Sequence, residues 1–456
     1  MSAPFRLTII HPCVGRRVGQ RSYVRTWRME ALPAATIAAL TPPEVEKRFY
    51  DDRLEPIPYD ERTDLVAISV ETYTARRAYQ IASEYRRRGV PVVMGGFHAA
   101  LCPEEVGQWC ESLVIGEAEE IFPQVIDDWR HGRGERVYRA ERRPSGLRVR
   151  PDRSIFRGKR YLPIALVEAA RGCRFTCDFC AITATFKGTQ TRRMPDEVLA
   201  EVRSVRRVGR LVFFIDDNIV SDLVGAKELF RALIPERIRW VGQASINVAF
   251  DDEALALMKA SGCQGILIGI ESLDERQLKQ MNKGFNLMRG GPPAALANLR
   301  RHGLRVYGTF IFGYEHDDAA SFDRAVAFAR DEGMFIAAFN HLTPFPGTPL
   351  YRRLEAEKRL RFPTWWLDAD YRYGMVPFMP RSMSPDELEV RCTAARRSFY
   401  SWNSILARAR QRIHWRDPWM LVNFLAINAM HQADVVGRNR MPLGDAAWVG
   451  PLLPAA

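Results

Sequence analysis

The sequence predicts an α/β protein built as a doubly wound domain, then an open parallel barrel of six strand–helix units, then a mainly helical tail. Three observations carry this. Short apolar strands alternate with amphipathic helices over residues 1–140. After a basic stretch at 141–160 that contains Pro and Gly and lacks periodicity, the alternation resumes with larger units. Beyond Tyr351 it stops. The expected segments are therefore 1–140, a linker at 141–160, a barrel at 161–355 and a helical region at 356–456.

In the first segment, residues 6–11 read as a strand, 32–40 as a helix and 65–70 as a second strand. Residues 75–88 have helical spacing, and Gly89 ends them. Further strands at 91–94 and 113–115 close on Gly95-Gly96 and on Gly116, with a helix at 119–130. Doubly wound sheets bind ligands at the carboxyl ends of their strands. Ser69, Gly95, Gly96 and Gly116 fall there, and His98 reads as a loop or hydrogen-bonded histidine.

Barrel strands are expected at 164–169, 211–215, 239–244, 265–269, 305–312 and 335–340, and helices at 195–207, 223–233, 252–260, 294–302 and 319–331. Barrel active sites sit at the C-terminal strand ends. Those ends carry Asp216-Asp217-Asn218, Gln243 and Ser245, Glu271-Ser272, Gly313-Tyr314-Glu315, and His341 with Thr343.

The first barrel strand runs into Arg171-Gly172-Cys173-Arg174-Phe175-Thr176-Cys177-Asp178-Phe179-Cys180. Crowded soft thiolates favour zinc, copper(I) or iron–sulfur centres. A structural zinc needs four ligands, usually from two separated pairs, and a ferredoxin cluster also takes four cysteines. The next cysteine here is Cys263. A [4Fe–4S] cluster with one iron left open is the economical reading.

Composition narrows the classes. With 47% hydrophobic and 26% charged residues the 456-residue chain is an ordinary globular protein. The net charge is +12, but only eight of its 66 basic residues are Lys, and the Arg are scattered without a long basic block. A nucleic-acid platform is not expected. The eight cysteines form no disulfide framework, no signal peptide is visible, and no run of about 18 apolar residues occurs. A reducing, cytoplasmic setting is expected. In the tail, Trp365-Trp366, Tyr371 and Tyr373 form an aromatic cluster, residues 388–400 look helical, and 419–430 are apolar. That apolar run reads as a helix over the open side of the barrel. The alternative is a greasy lid, or a membrane-surface contact for a lipid-like substrate.

The Cys-x3-Cys-x-Phe-Cys spacing, with Phe179 as the aromatic, resembles the signature of the radical S-adenosylmethionine (SAM) enzymes. The resemblance implies a [4Fe–4S] cluster on Cys173, Cys177 and Cys180 whose open iron chelates SAM, and one-electron cleavage of SAM to a 5′-deoxyadenosyl radical. Val93-Met94-Gly95-Gly96-Phe97-His98 and Val114-Ile115-Gly116-Glu117-Ala118-Glu119-Glu120 resemble the cobalamin-binding domain that precedes many such barrels. This implies a Rossmann-like domain with Ser69, Gly95, Gly96 and Gly116 at cobalamin, the glycines allowing close backbone approach to the cofactor. The Asp-x-His-x-x-Gly element that places histidine on cobalt is absent, so ligation by histidine is not expected.

Phe214-Ile215-Asp216-Asp217-Asn218, Gly269 to Ser272 and Pro344-Phe345-Pro346-Gly347-Thr348-Pro349 extend the resemblance along the barrel. They make Glu271 the first choice for SAM's amino and ribose groups, with Phe179, Gln243 and Asp216 as further cofactor-binding candidates. The family's Gly-Gly-Glu after the second strand is replaced by Asp216-Asp217-Asn218. His341 is weighed as a general acid or base against a satisfied structural histidine. The implied activity is cobalamin-dependent methylation of an unactivated carbon in a small apolar or lipid-like metabolite, with flavodoxin or ferredoxin as electron donor. The alternatives are a radical cyclase, oxidase or rearrangement enzyme, or a non-catalytic iron–sulfur or cobalamin-binding protein.

Overall fold

The computed structural model describes residues 4–19, 28–141, 143, 146, 149–205, 211–437 and 440–455. Its first sheet contains β1 (Arg6–His11), β2 (Glu46–Asp51), β3 (Leu65–Ser69), β4 (Val92–Gly95), β5 (Ser112–Ile115) and β6 (Val137–Arg139). All pairings are parallel, in the order β2-β1-β3-β4-β5-β6. The order reverses between β1 and β3, and such a reversal opens a ligand crevice at the carboxyl ends. Leu7, Ile9, Leu65, Val93 and Val114 of the sheet share a core with Ala35, Ala38, Phe122 and Ile126 of the helices Leu32–Leu40 and Ala118–Arg130.

Strand β2 was not expected from the sequence. Its Glu-Lys-Arg-Phe-Tyr-Asp run buries Phe49 and leaves Arg48 exposed. Charges are what an edge strand wears to avoid pairing with other chains, and they hide its period. Part of the 141–160 stretch is packed. Arg153–Phe156 forms a short 3-10 turn, and Phe156 lies edge-on to Phe49 with ring centroids 5.6 Å apart.

The second sheet contains β7 (Ile164–Val167), β8 (Leu211–Phe214), β9 (Arg239–Ala244), β10 (Cys263–Glu271), β11 (Arg305–Phe312) and β12 (Ile336–His341). These six pair in parallel in sequence order, which leaves β7 and β12 as edges. This is the open six-unit barrel expected. Stacked rings fill its core, Phe230 on Trp240 at 5.4 Å and Phe310 on Phe339 at 5.3 Å. The helix after β7 is Pro195–Val205, and the rest of its expected span, 206–207, lies outside the described residues.

The chain divides into two compact units, 1–162 with 364–373 and 440–456, and 163–363 with 374–439. The aromatic cluster at 365–373 thus belongs to the first unit rather than to the barrel. Gly444–Asp445 also pairs with Gly15–Arg16, just after β1, and Met441–Pro442 with Arg372–Tyr373.

In the second unit, helix Pro385–Phe399 covers the β12 edge. Phe399 packs on Phe339, and the Tyr400 hydroxyl donates to Ala337 O at 2.9 Å. The apolar run 419–430 lies within helix Pro418–Gly437 and sits elsewhere. Its Met420 and Phe424 pack with Ile405 on Phe335, the residue that enters β12. The buried Arg408 locks this corner by donating to Met334 O at 2.9 Å, Phe399 O at 3.1 Å and Asn428 Oδ1 at 3.0 Å. That corner is at the amino ends of the strands, so the run does not lid the cysteine loop, which is at the carboxyl ends. No helix among the described residues is long and apolar enough to cross a membrane.

Candidate active site at the barrel strand ends

The cysteine loop leaves β7 through a short hairpin in which Ala170–Gly172 pairs with Gln190–Arg192. Neighbouring strand ends tie it down. Gly172 N donates to Asp217 Oδ2 at 2.7 Å, and Arg174 N to Ser221 Oγ at 2.8 Å. Asn282 Nδ2 donates to Thr176 O and Oγ1, both at 2.8 Å. The Tyr314 hydroxyl donates to Asp178 Oδ1 at 2.7 Å, and Leu350 N to Asp178 O at 3.0 Å. Phe175 stacks on Phe285 at 4.1 Å, and Phe179 packs against the barrel core.

Cys177 is buried, while Cys173 and Cys180 are half-buried. Burial pushes the Cys177 thiol up to about 12 and the Cys180 thiol upward as well, so the protein alone keeps them protonated. Iron supplies the positive charge that makes such sites thiolates. Two local groups favour the anionic form. Asn218 Nδ2 lies 3.5 Å from Cys173 Sγ, fixed by its 3.0 Å bond to Ser245 Oγ. Lys283 is the other. Burial pulls its pKa down, but Glu271 and Cys177 more than offset this and hold it above the usual lysine value. Among the described residues, one set of His, Cys, Asp or Glu ligand atoms lies within 4.8 Å all round, and it is His98, Cys102 and Glu105, not this triad. A spread triad of soft donors fits the corners of a cluster better than one ion.

Glu271 ends β10 in the left-handed region, with φ of +65°, beside a register shift against β11. A non-glycine residue held there stores strain of a kind found at functional sites. Its carboxylate is buried, with Oε1 2.8 Å from Lys283 Nζ and Oε2 accepting from Thr309 Oγ1 at 3.1 Å. A Cβ at Gly269 would collide with that carboxylate and with Lys283 Nζ, so Gly269 keeps the room for the pair.

The other strand ends differ in role. Asp216 is buried, and its Oδ1 accepts from Ala169 N at 2.7 Å, stitching β8 to the end of β7. Burial pushes it up to about 7, and its Oδ2 has no partner among the described residues. Its neighbours Asp217 and Asn218 are the ones that touch the cysteine loop. Gln243 is exposed and donates to Asp217 O at 2.9 Å. His341 donates through Nδ1 to Leu342 O at 3.0 Å, and burial pushes it down to about 4, which favours the structural reading. Sequence reasoning placed Asn218 and Tyr314 at the strand ends without giving them a role, and missed Asn282 and Lys283. Lys283 alone had a signal, being one of eight lysines in an arginine-rich chain.

In the first unit, the strand-end glycines answer to the sheet itself. Gly96 has φ of +100°, and a Cβ there would lie 2.8 Å from Ser69 Oγ and 2.9 Å from Val70 N. Gly95 and Gly116 are likewise crowded by Val114 and Ala140. Close packing of neighbouring strand ends is what these positions demand in the structure. His98 is buried and donates through Nε2 to Glu105 Oε1 at 3.1 Å. Glu105 also accepts from the Tyr79 hydroxyl at 2.8 Å and from Trp366 Nε1 at 2.9 Å. Trp365 and Tyr373 pack on Tyr73, at 4.8 and 5.3 Å between centroids. Beneath the β1 end, Asp52 bonds Arg77 through both oxygens, at 2.8 and 2.9 Å, and also pairs with Arg16. Burial raises its pKa, but the two guanidiniums win and hold it at about 2.

Residues 167–329 match the radical SAM superfamily domain. The bacteriochlorophyllide d C-12(1)-methyltransferase of Chlorobaculum tepidum is 30% identical over 401 residues, which cover 85% of this chain and 86% of that protein. The bacteriochlorophyllide d C-8(2)-methyltransferase of the same organism is 26% identical, covering 85% and 88%. The solved structure of the radical SAM methyltransferase TsrM from Kitasatospora setae, with cobalamin and [4Fe–4S] cluster bound, is 16% identical. It covers 85% of this chain and 82% of its own, with a TM-score of 0.60, and shares the fold. Likeness of that extent, on a barrel whose first strand end carries the three cysteines, makes this chain a radical SAM enzyme of the branch with a cobalamin-type domain ahead of the barrel.

Proposed function

We propose that the protein is a cobalamin-dependent radical SAM C-methyltransferase acting on an unactivated carbon of a mainly apolar acceptor. The observation that carries the reading is the cysteine loop standing beside a buried Glu271–Lys283 pair at the same strand ends. Cys173, Cys177 and Cys180 would hold the cluster, and Asn218 would donate to the Cys173 sulfur. Glu271, held by Lys283 and Thr309, would accept from the ammonium group of SAM. When bound, the cluster supplies the electron that cleaves SAM to the 5′-deoxyadenosyl radical, and cobalamin relays the methyl group. A flavodoxin or ferredoxin supplies the electron.

The first unit offers cobalamin the crevice where the strand order reverses between β1 and β3, with Ser69 at the end of β3. Two imidazoles are near it, His98, buried on Glu105, and His11 at the end of β1, which burial pushes down to about 4. The reading of cobalamin without protein imidazole on cobalt rests on the missing Asp-x-His-x-x-Gly element. The acceptor class is drawn from the two relatives named for methylating bacteriochlorophyllide d. A chlorin macrocycle is accordingly the first substrate to try.

The test is anaerobic incubation of the reconstituted enzyme with methyl-labelled SAM, reductant, cobalamin and bacteriochlorophyllide d. Label on carbon together with 5′-deoxyadenosine is the expected result. 5′-Deoxyadenosine with a cyclised or oxidised, unlabelled product would transfer the chain to the cyclase or oxidase reading. No 5′-deoxyadenosine under any condition would make it a binding protein. Electron paramagnetic resonance of bound cob(II)alamin should show no splitting from a protein nitrogen.

A further inference from the structure

The helices at the amino ends of the barrel strands expose an unusual surface. Helix Trp402–Ala409 leaves Trp402 51% and Leu406 53% exposed, one turn apart on the same face. Trp415 follows at 51%. Helix Pro418–Gly437 exposes Val422 at 67% and Leu425 at 36%, with Ala426 beside them, while Met420 and Phe424 fill the opposite face. A surface helix ordinarily turns polar residues outward. This one is apolar on both sides.

The same surface is strongly basic. Arg397, Arg410, Arg412 and Arg416 are exposed, and none forms an ion pair among the described residues. Between residues 390 and 433 the chain has seven arginines and one acid, Asp417.

We propose that this face docks the protein on an anionic lipid bilayer. Tryptophans suit the headgroup level, aliphatic side chains the acyl boundary beneath it, and arginines the lipid phosphates. The charge argues against the other occupants. A symmetric pair of copies would set the same unpaired arginines against each other. Single-stranded nucleic acid is held on aromatic platforms along a polar groove, whereas here Trp402 and Trp415 stand among exposed Leu406, Val422, Leu425 and Ala426, aliphatic surface on which a base cannot stack. The helix lies on the membrane and does not cross it, since it is not apolar enough to span. Docking by this end leaves the cysteine loop, at the opposite strand ends, turned away from the lipid. The proposal does not depend on the acceptor or on cobalamin.

The test is co-sedimentation of the full, cluster-loaded chain with vesicles of phosphatidylcholine alone and of phosphatidylcholine with about one-third phosphatidylglycerol. Binding is expected to the anionic vesicles only, weakening with salt. The double variant Leu406→Glu/Val422→Glu should abolish it, with iron content and circular dichroism unchanged. Arg410→Ala, Arg412→Ala and Arg416→Ala should each lower affinity about fivefold. Val224→Glu, at an exposed valine on another helix, should change nothing. Absence of binding to anionic vesicles, or binding indifferent to the double variant, overturns the proposal. If vesicles fail to bind and the double variant converts a dimer to monomer, the face belongs to a second copy. If vesicles fail to bind and it abolishes oligonucleotide binding instead, the face belongs to nucleic acid.

Discussion

The carboxyl ends of the two parallel sheets are furnished in opposite ways. The barrel end is built from its own strand ends and loops. Asp217 and Asn218 follow β8, Ser245 follows β9, Glu271 ends β10 and Tyr314 follows β11, and all reach the cysteine loop or its neighbours. The end of the first sheet is finished by chain that returns from far away. Trp366 reaches Glu105 across 261 positions, and Asp445 reaches Gln80 across 365. One end gathers thiols and a buried ion pair from its own strands; the other uses polar groups such as Glu105 and Gln80 to hold a returning segment in place.

If the two ends are as separate as this, damage to one should spare the other. The largest effect belongs to the cysteines. Cys173→Ala, Cys177→Ala or Cys180→Ala should each drop bound iron from about four per chain to near none after anaerobic reconstitution, with the melting of the first unit unchanged. Replacing Cys102, Cys110 or Cys392 should leave iron intact. A full cluster surviving any of the first three changes would break the assignment.

Next comes Asp52. Asp52→Asn strands the buried Arg77 and should cost the first unit about 3–5 kcal/mol, read by chemical denaturation, while iron content holds. The pH dependence has a definite sign. Asp52 falls from 3.8 unfolded to about 2 folded. Its ionisation therefore contributes about 2 kcal/mol above pH 4, lost as pH falls through 2. The variant should lack that acid slope.

A smaller change is expected from Glu105→Gln, which exchanges one acceptor oxygen for a donor facing His98, Tyr79 and Trp366. It should cost about 1–3 kcal/mol and shift tryptophan emission to the red, again without loss of iron. The smallest is Asn218→Ala. Removing an N–H donor from the Cys173 sulfur makes the reduced cluster less favourable, so its midpoint should move negative by a few tens of millivolts. Redox titration followed by electron paramagnetic resonance reads this. A positive shift would mean that Asn218 does not act on the sulfur.

The same contrast explains what could be read in the sequence. The barrel was legible because each βα unit pairs with the next, so apolar period and punctuation sufficed. Cys173, Cys177 and Cys180 were legible because their spacing is itself the signal. Lys283 was not, since a single lysine in a loop has no pattern until the fold sets it against Glu271; Asn218 could be placed at a strand end, but its approach to a sulfur needed the fold. Adjacent aspartates look alike in sequence, and only the fold sets Asp216 against Ala169 N and Asp217 against the cysteine loop. Strand β2 was hidden by edge charges. The affiliation of Trp365 and Trp366 was hidden more deeply, because aromatic burial does not reveal which core receives it.

The pairing of Gly444–Asp445 with Gly15–Arg16 bears on the order in which the chain is made. A ribosome that has released residue 162 must add about 280 more before the strap at 440–455 emerges, on the order of tens of seconds at ordinary elongation rates. During that interval the barrel is complete enough to fold and to meet iron, while the first unit still lacks its last strand pairings and the contacts that Asp445 gives Gln80 and Leu453 gives Arg86. Nascent protein should therefore mature from the inside outward, with cluster insertion preceding closure of the amino-terminal unit. Expression conditions that starve the cell of iron–sulfur assembly would then leave chains whose first unit has closed while the cysteine loop of the second remains without iron.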